Sequence, residues 1–277
     1  MTVVDTLKVL HFTDLHLRTQ ADGALYGVRT EATFRAALAR AFADPDWVPA
    51  LVLVTGDVAE DPAPAVYARF RAALEPFGVP VLCLPGNHDD PAIMRSALDG
   101  SAIAYCTSQR FGRWRFLMLD SVVAGTPAGD LAAGELARVD QAIEEARDEW
   151  LLVAVHHQVL AMGSAWLDGF GLRNGAELLD RLDRHPRARA LLWGHVHQES
   201  DRQRGLLRLL STPSTCAQFT PGTERCVMDT RPPAFRRLEL AADGTMRTEV
   251  IWLEDQAPAT RPPDTRAPGF ARREAKQ

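Results

Sequence analysis

The chain has 277 residues, of which 46% are hydrophobic and 24% are charged, and its formal net charge is −5. This composition is typical of a globular protein with a buried core, and it excludes collagen-like, coiled-coil and wholly disordered chains. The negative net charge argues against a protein that coats nucleic acid, because phosphate binding needs a basic face.

The N-terminal segment carries charges at Asp5, Lys8 and Asp14, so we expect no secretory leader. No apolar run approaches the roughly 20 residues that a membrane helix needs. Four cysteines stand far apart without zinc-type spacing and are expected to be free thiols: Cys83, Cys106, Cys216 and Cys226. These features predict a soluble, cytoplasmic protein that binds no membrane.

Short apolar runs alternate with amphipathic stretches along the chain, which is typical of an α/β protein. Runs rich in valine and leucine predict six buried strands: Lys8–Phe12, Leu51–Thr55, Val79–Leu84, Arg115–Leu119, Trp150–Val155 and Ala190–Trp193. Beyond Gly205 the pattern predicts three further strands: Leu206–Leu210, Phe235–Leu240 and Met246–Leu253. Asp243-Gly244 predicts a hairpin between the last two.

Amphipathic patterns predict helices between these runs. Asp61-Pro62 and Asp90-Pro91 each look like an N-cap followed by proline at the first helical position. Another helix is predicted over Leu131 to Arg147, and a further one opens at Asn174, with Glu177 three residues on as in a capping box.

We expect a single domain over residues 1–255. Residues 256–277 contain four prolines and five basic residues without periodicity. This composition predicts a disordered C-terminal tail.

Acidic, amide and imidazole side chains follow five of the predicted strands, just beyond their carboxyl ends. They are Asp14 and His16, Asp57, Asn87 with His88 and Asp89, His156 and His157, and His195 and His197. Ligands of open α/β sheets bind at that edge, and carboxylates with imidazoles suit ions such as Mn, Fe, Zn or Co. Each short motif alone is as well explained by a turn or a hydrogen-bonded core histidine. Five of them in order favour two metal ions that share a carboxylate.

The order D-x-H, G-D, G-N-H-D, H-H and G-H-x-H resembles the calcineurin-like metallophosphoesterase superfamily over roughly residues 8–253. The resemblance implies a four-layer α/β/β/α sandwich of two mixed sheets flanked by helices, with a dinuclear site between the carboxyl ends of the sheets. It assigns the first metal to Asp14, His16, Asp57 and His197. It assigns the second to Asp57, Asn87, His156 and His195, and leaves His157 outside the set.

Segments further along the chain look like the bacterial 3′,5′-cyclic AMP phosphodiesterases of the CpdA type, the class III cyclic-nucleotide phosphodiesterases. They are Trp166-Leu167-Asp168, Leu172-Arg173-Asn174, Gly194–Glu199, Ser211–Cys216 with Gln218-Phe219, and Arg236–Thr248. This likeness implies that a hydroxide bridging two Fe, Mn, Zn or Co ions opens a small cyclic nucleotide to 5′-AMP, in a monomer or homodimer that binds no nucleic acid.

The resemblance also implies which residues act on the substrate. The residues expected to contact it are His16, Asp57, Asn87, His88 and His197. His88 is expected to contact the phosphate or to protonate the leaving oxygen. Asp89 is expected either to orient His88 or to share a helix cap with Asp90.

Base recognition is left open between two interpretations. Trp166 and Phe170 either lean over a purine or anchor a loop. Arg173 is either a substrate contact or a surface residue, and Ser211–Thr215 either binds the nucleotide or turns the chain.

Two other functions remain open at this stage. Another phosphoesterase activity is compatible with the same motifs: a nuclease, a pyrophosphatase, a glycerophosphodiester phosphodiesterase or a protein phosphatase. A non-catalytic scaffold is disfavoured because every ligand position is filled.

Overall fold

Two six-stranded sheets form the centre of the protein in a computed structural model that describes residues 6–146 and 148–254. The strands of the first sheet are β1 (Thr6–Phe12), β4 (Leu51–Thr55), β5 (Val81–Leu84), β6 (Ile103–Tyr105), β13 (Ala234–Ala241) and β14 (Met246–Trp252). Their order across the sheet is β14-β13-β1-β4-β5-β6. The run from β1 to β6 is parallel, whereas β13 and β14 pair antiparallel to their neighbours.

The second sheet also has a parallel centre, but both of its edge strands pair antiparallel to their neighbours. Its strands are β7 (Ser108–Phe111), β8 (Trp114–Met118), β9 (Trp150–Ala154), β10 (Ala188–Trp193), β11 (Ser200–Arg204) and β12 (Leu207–Ser211). They lie in the order β11-β12-β10-β9-β8-β7. A separate two-stranded hairpin is formed by β2 (Ala24–Leu25) and β3 (Val28–Arg29).

Helices cover the outer face of each sheet. They are α1 (Thr30–Ala41), α2 (Pro64–Leu74), α3 (Pro91–Leu98), α4 (Ala133–Glu145), α5 (Ala165–Asp168) and α6 (Gly175–Asp183), and a 3-10 turn (Glu75–Phe77) follows α2. Phe34 of α1 and Phe70 of α2 are fully buried with the outward side chains of the first sheet. Val139 of α4 and Leu178 of α6 are likewise fully buried with the outward side chains of the second sheet.

A third apolar cluster lies between the two sheets. Leu53 and Leu82 of the first sheet pack there with Phe116 and Leu192 of the second, and all four are at most 1% exposed. Central strands buried on both faces explain why the sequence shows continuous apolar runs rather than alternation. The predicted four-layer α/β/β/α sandwich is therefore confirmed.

The predicted strands are confirmed, each with ends within two residues of the expectation. The last two form the expected hairpin, and Gly244 in its turn has φ +86°. Among the described residues, the edge strands β6, β7 and β11 and the small β2–β3 hairpin were not predicted.

Two N-terminal caps differ from the prediction, although α6 opens at Asn174 as expected. Helix α2 begins at Pro64 rather than Pro62, so Asp61 is not its N-cap. The capping box at Asn174 is also wrong, because the Asn174 side chain bonds both the N–H and the carbonyl of Leu131 instead. That amide ties the start of α6 to the segment before α4.

The remaining helix predictions agree with the structure. Asp90 caps α3 by accepting hydrogen bonds from the backbone N–H groups of Ala92 and Ile93. Helix α4 occupies the centre of the range predicted over 131–147, of which Arg147 lies outside the described residues. The tail predicted over 256–277, like residue 255 of the predicted domain, also lies outside them.

Helix length bears on the expectation about membranes. Among the described helices, none combines the length and the apolar character that crossing a bilayer requires.

Candidate metal centre

Carboxylate, amide and imidazole side chains from both sheets meet where β1, β4, β5, β9 and β10 end. The structure brings together Asp14, His16, Asp57, Asn87, His88, His156, His195 and His197. Apart from His88, the most exposed of them is Asn87, at 6%. The parallel register places these strand ends at one edge of the sandwich, as the sequence predicted.

The backbone turns sharply at this edge. Seven described residues other than glycine have positive φ, and five of them belong to the cluster: Asp14, His16, Asp57, His195 and His197. Such conformations are unfavourable for these residue types and concentrate at functional sites. The glycine of G-H-x-H is required by close approach, since a Cβ on Gly194 would lie 1.9 Å from the Thr13 hydroxyl oxygen.

One half of the cluster is formed by three side chains from D-x-H and G-H-x-H. His197 Nε2 lies 3.4 Å from Asp14 Oδ1 and 3.1 Å from His16 Nε2. His197 Nδ1 is 2.6 Å from the Ala217 carbonyl oxygen, so Nε2 is the nitrogen that can bind a metal. Fixing a histidine through its second nitrogen is how metal-binding imidazoles are commonly oriented.

The other half contains His156, Asn87 and Asp57. His156 Nε2 lies 3.1 Å from Asn87 Oδ1 and 3.4 Å from Asp57 Oδ2, while its Nδ1 is 2.8 Å from the Thr55 carbonyl oxygen. Asp57 Oδ2 also lies 3.7 Å from His16 Nε2. Asp57 therefore stands between the two halves, where a shared ligand has to be.

His195 lies behind His156. Its backbone N–H donates to Asp14, and its ring centroid is 5.1 Å from that of His156. Burial, reinforced by His157 and His156, holds the pKa of His195 well below its usual value, so the ring is neutral as a metal ligand must be. Its Nε2 is buried and has no hydrogen-bond partner among the described residues.

His157 also borders the cluster, and its Nδ1 lies 2.8 Å from the Ser121 hydroxyl. One of its ring nitrogens lies within 4.8 Å of a ring nitrogen of His156 and of one of His195. His157 is not among the residues that the resemblance assigns to a metal, but its ring lies next to those of His156 and His195.

The electrostatics of the centre favour a cation. Among the described residues, Asp14 and Asp57 are buried with histidines beside them and pair with no lysine or arginine. Burial opposes a charge on His156, yet the Asp57 carboxylate raises the pKa of His156 to about 9. Two buried carboxylates, one amide and four imidazoles form a donor set that fits divalent transition metals.

Glu60 is a residue of the site that the sequence analysis missed. Its Oε2 lies 2.9 Å from His16 Nδ1 and 3.0 Å from His88 Nδ1. Burial alone would raise the pKa of Glu60, but the two histidines hold it below its usual range. Glu60 therefore orients both rings at once, and only its place three residues after Asp57 signalled this.

Asp89 neither orients His88 nor shares the cap of α3, the two roles expected from the sequence. Its carboxylate accepts hydrogen bonds from the backbone N–H groups of Gly86, Val58 and Ala59 and from the Tyr67 hydroxyl. The carboxylate beside His88 Nδ1 is Glu60, and the cap of α3 is Asp90. Asp89 instead fastens the Asn87 loop to the Asp57 loop.

We expect Asp89→Ala to lower the free energy of unfolding by about 3 kcal/mol or more, because it leaves three backbone N–H groups without their acceptor. Urea denaturation measures this loss. Asp90→Ala is the matched control, and losing that helix cap costs about 1 kcal/mol. Equal losses for the two variants would contradict the role assigned to Asp89.

The residues considered for base recognition separate in the structure. Arg173 is exposed, which favours the surface interpretation. Ser214 Oγ donates to the Asp14 carbonyl at 2.6 Å and Thr215 N–H to that of Thr13 at 3.2 Å, so Ser211–Thr215 supports the metal loop. Half-buried Trp166 packs edge-on against Phe219, with ring centroids 5.2 Å apart, while Phe170 is also half-buried.

Comparison with known families gives a match over residues 7–199 to the family described as calcineurin-like phosphoesterase. The chain is 40% identical over 266 residues to the 3′,5′-cyclic adenosine monophosphate phosphodiesterase CpdA of Escherichia coli K12, covering 95% of each chain. It is 38% identical over 250 residues to the enzyme of the same name from Pseudomonas aeruginosa, covering 90% of this chain and 91% of that one.

Solved structures show the same fold at lower identity. A dimetal phosphatase from Danio rerio superposes with a TM-score of 0.59 at 15% identity, covering 89% of this chain and 98% of that one. At this identity the similarity concerns the fold alone.

Proposed function

The chain belongs to the calcineurin-like phosphoesterase family, and on that premise we propose that it hydrolyses 3′,5′-cyclic AMP to 5′-AMP with two divalent metal ions. The observation that carries the proposal is the position of Asp57, within 4 Å of His16 on one side and of His156 on the other. We infer the substrate from the curated relatives that match along most of the chain, which are named 3′,5′-cyclic adenosine monophosphate phosphodiesterases.

We assign the ligands of each metal from this arrangement. Asp14, His16 and His197 would hold the first ion, and Asn87, His156 and His195 the second, with Asp57 shared. Iron, manganese, zinc and cobalt all suit this donor set. When bound, two such ions lower the pKa of water to produce a nucleophile at neutral pH and neutralise charge on the phosphate.

His88 lies next to His16 at the edge of the centre, and its side chain is 21% exposed. Glu60 Oε2 lies 3.0 Å from His88 Nδ1, and we therefore assign the substrate side of the ring to Nε2. We assign to His88 Nε2 the proton that the 3′-oxygen takes as its bond to phosphorus breaks. The backbone N–H of His88 donates to Asp57 Oδ1 at 2.8 Å, which keeps this residue next to the shared ligand.

The proposal extends to the location, oligomeric state and partner of the enzyme. All four cysteines are free thiols, which fits a reducing cytoplasm. We propose a monomer or homodimer whose partner is a small-molecule cyclic nucleotide.

A turnover panel on metal-reconstituted protein tests this function. It compares 3′,5′-cyclic AMP, 3′,5′-cyclic GMP, 2′,3′-cyclic AMP and bis(p-nitrophenyl) phosphate, with Asn87→Ala as the control that removes one ligand. Preference for 3′,5′-cyclic AMP, lost in the control, is the expected result. Turnover of bis(p-nitrophenyl) phosphate alone would keep the phosphodiesterase chemistry and refute the cyclic-nucleotide substrate.

A further inference from the structure

The β2–β3 hairpin has an unusual residue at its tip. Its turn is Tyr26-Gly27, with φ of +52° at Tyr26 and +82° at Gly27. Two-residue hairpin turns with positive φ at both positions favour asparagine, aspartate or glycine, because side chains with a bulky Cβ are strained there. Tyr26 is one of only two described residues with a strained backbone of this kind, glycine aside, outside the metal-binding cluster.

The Tyr26 ring forms one end of a row of aromatic rings that leads to the metal centre. It meets Phe219 edge-on, with ring centroids 6.4 Å apart and planes at 75°. Phe219 in turn stacks on the ring of His197 at 4.4 Å, with planes 22° apart. The strained turn therefore holds an aromatic side chain one ring away from His197, which we assign to the first metal.

Tyr26 is half-buried, so part of its side chain stays accessible to a ligand. Burial raises the pKa of Tyr26, and the charges of Cys226 and Glu60 raise it further. The hydroxyl is therefore protonated at neutral pH and can donate a hydrogen bond to a ligand.

We propose that the ring of half-buried Tyr26, held in place by buried Phe219, forms the binding site for the nucleobase. The proposal rests on the proposed function and names the subsite that recognises the base of the nucleotide. A base has an apolar aromatic face and polar edges, and it stacks on aromatic side chains while its edges or the ribose hydroxyl take hydrogen bonds. Tyr26 offers both a ring and a hydroxyl, and the strain at its backbone is kept because this position needs an aromatic side chain.

Product inhibition measures this contact without relying on cyclic AMP as substrate. Metal-loaded protein turns over bis(p-nitrophenyl) phosphate as a reporter, and inhibition constants are determined for 5′-AMP and for ribose 5-phosphate, which lacks the base. The ratio of the two constants reports the contribution of the base. In the wild type we expect 5′-AMP to inhibit at least about fivefold more tightly, in line with base stacking on one aromatic ring.

Three variants separate a base contact from a structural role. Tyr26→Asn keeps a residue that favours this turn but removes the ring that packs on Phe219, so we expect a folded protein with a ratio close to one. Tyr26→Phe keeps the ring and should keep most of the ratio. Val28→Ala, on the other arm of the hairpin, is the control that trims an apolar side chain there, and it should leave the ratio unchanged.

A ratio that stays at the wild-type value in Tyr26→Asn would overturn the proposal, as would a wild-type ratio of one. The proposed function fails separately, if the wild type does not hydrolyse 3′,5′-cyclic AMP. A high ratio in such an enzyme would keep the base subsite and assign it to a different nucleotide substrate.

Discussion

Replacement of Asp57 by alanine is expected to lower kcat for 3′,5′-cyclic AMP by at least about a thousandfold, which corresponds to ~4 kcal/mol of transition-state stabilisation. Asp57 lies within 4 Å of His16 in one half of the metal centre and of His156 in the other. Its loss removes a ligand from both ions, so we also expect the metal content of the purified protein to fall. Steady-state kinetics and elemental analysis measure the two effects.

Asp61→Ala is the matched control for this variant. Asp61 lies four residues further on and pairs with Arg18 at the surface, with its side chain 39% exposed. Removing an exposed pair changes stability little, and kcat should stay near that of the wild type. An Asp57→Ala enzyme with two bound ions and an ordinary kcat would refute the shared-ligand assignment.

His88→Ala is expected to lower kcat for 3′,5′-cyclic AMP by roughly 10² to 10⁴-fold, the range for removing a general acid. His88 is assigned to no metal, so the metal content should not change. The loss should be much smaller for bis(p-nitrophenyl) phosphate, because p-nitrophenolate leaves without being protonated. The ratio of the two losses is the quantity to measure.

Two outcomes would contradict this assignment. Equal losses for both substrates would mean that His88 binds the phosphate and does not donate a proton to the leaving oxygen. Loss of bound metal would mean that His88 belongs to the ligand set together with His16 and Glu60, with which it forms a compact group.

The position of the site was predictable because it depends on strand ends. Five apolar strands end in motifs such as Asp14-x-His16 and His195-x-His197. Parallel pairing places the carboxyl ends of neighbouring strands together, independently of the conformation of the loops. The glycines next to them were part of the same signal, since Gly194 has no room for a Cβ. Their role as metal ligands stays a prediction.

Glu60 was not predictable in the same way. It reaches His16 and His88 because a bridge between Leu17 and Ala59 brings two loops together. Sequence proximity favoured Asp89 as the partner of His88, but the fold turns that carboxylate toward three backbone N–H groups. Which of two nearby acids faces a ring depends on loop geometry that local patterns do not contain.

Edge strands escaped prediction for a different reason. Strand β11 (Ser200–Arg204) consists of polar and charged residues that are mostly exposed, so it shows no apolar run. It exists because its backbone pairs with β12. Charged edge strands of this kind protect a sheet from pairing with other chains, at the cost of their hydrophobic signal.

The most direct test of the account is the metal stoichiometry of cyclic AMP hydrolysis. Protein freed of metal by chelation is titrated with Mn²⁺, and 5′-AMP formation from 3′,5′-cyclic AMP is followed at each step. We predict no turnover without metal and a rate that saturates at two ions per chain. Saturation at one ion, or turnover by the metal-free protein, would contradict a dinuclear centre built around Asp57.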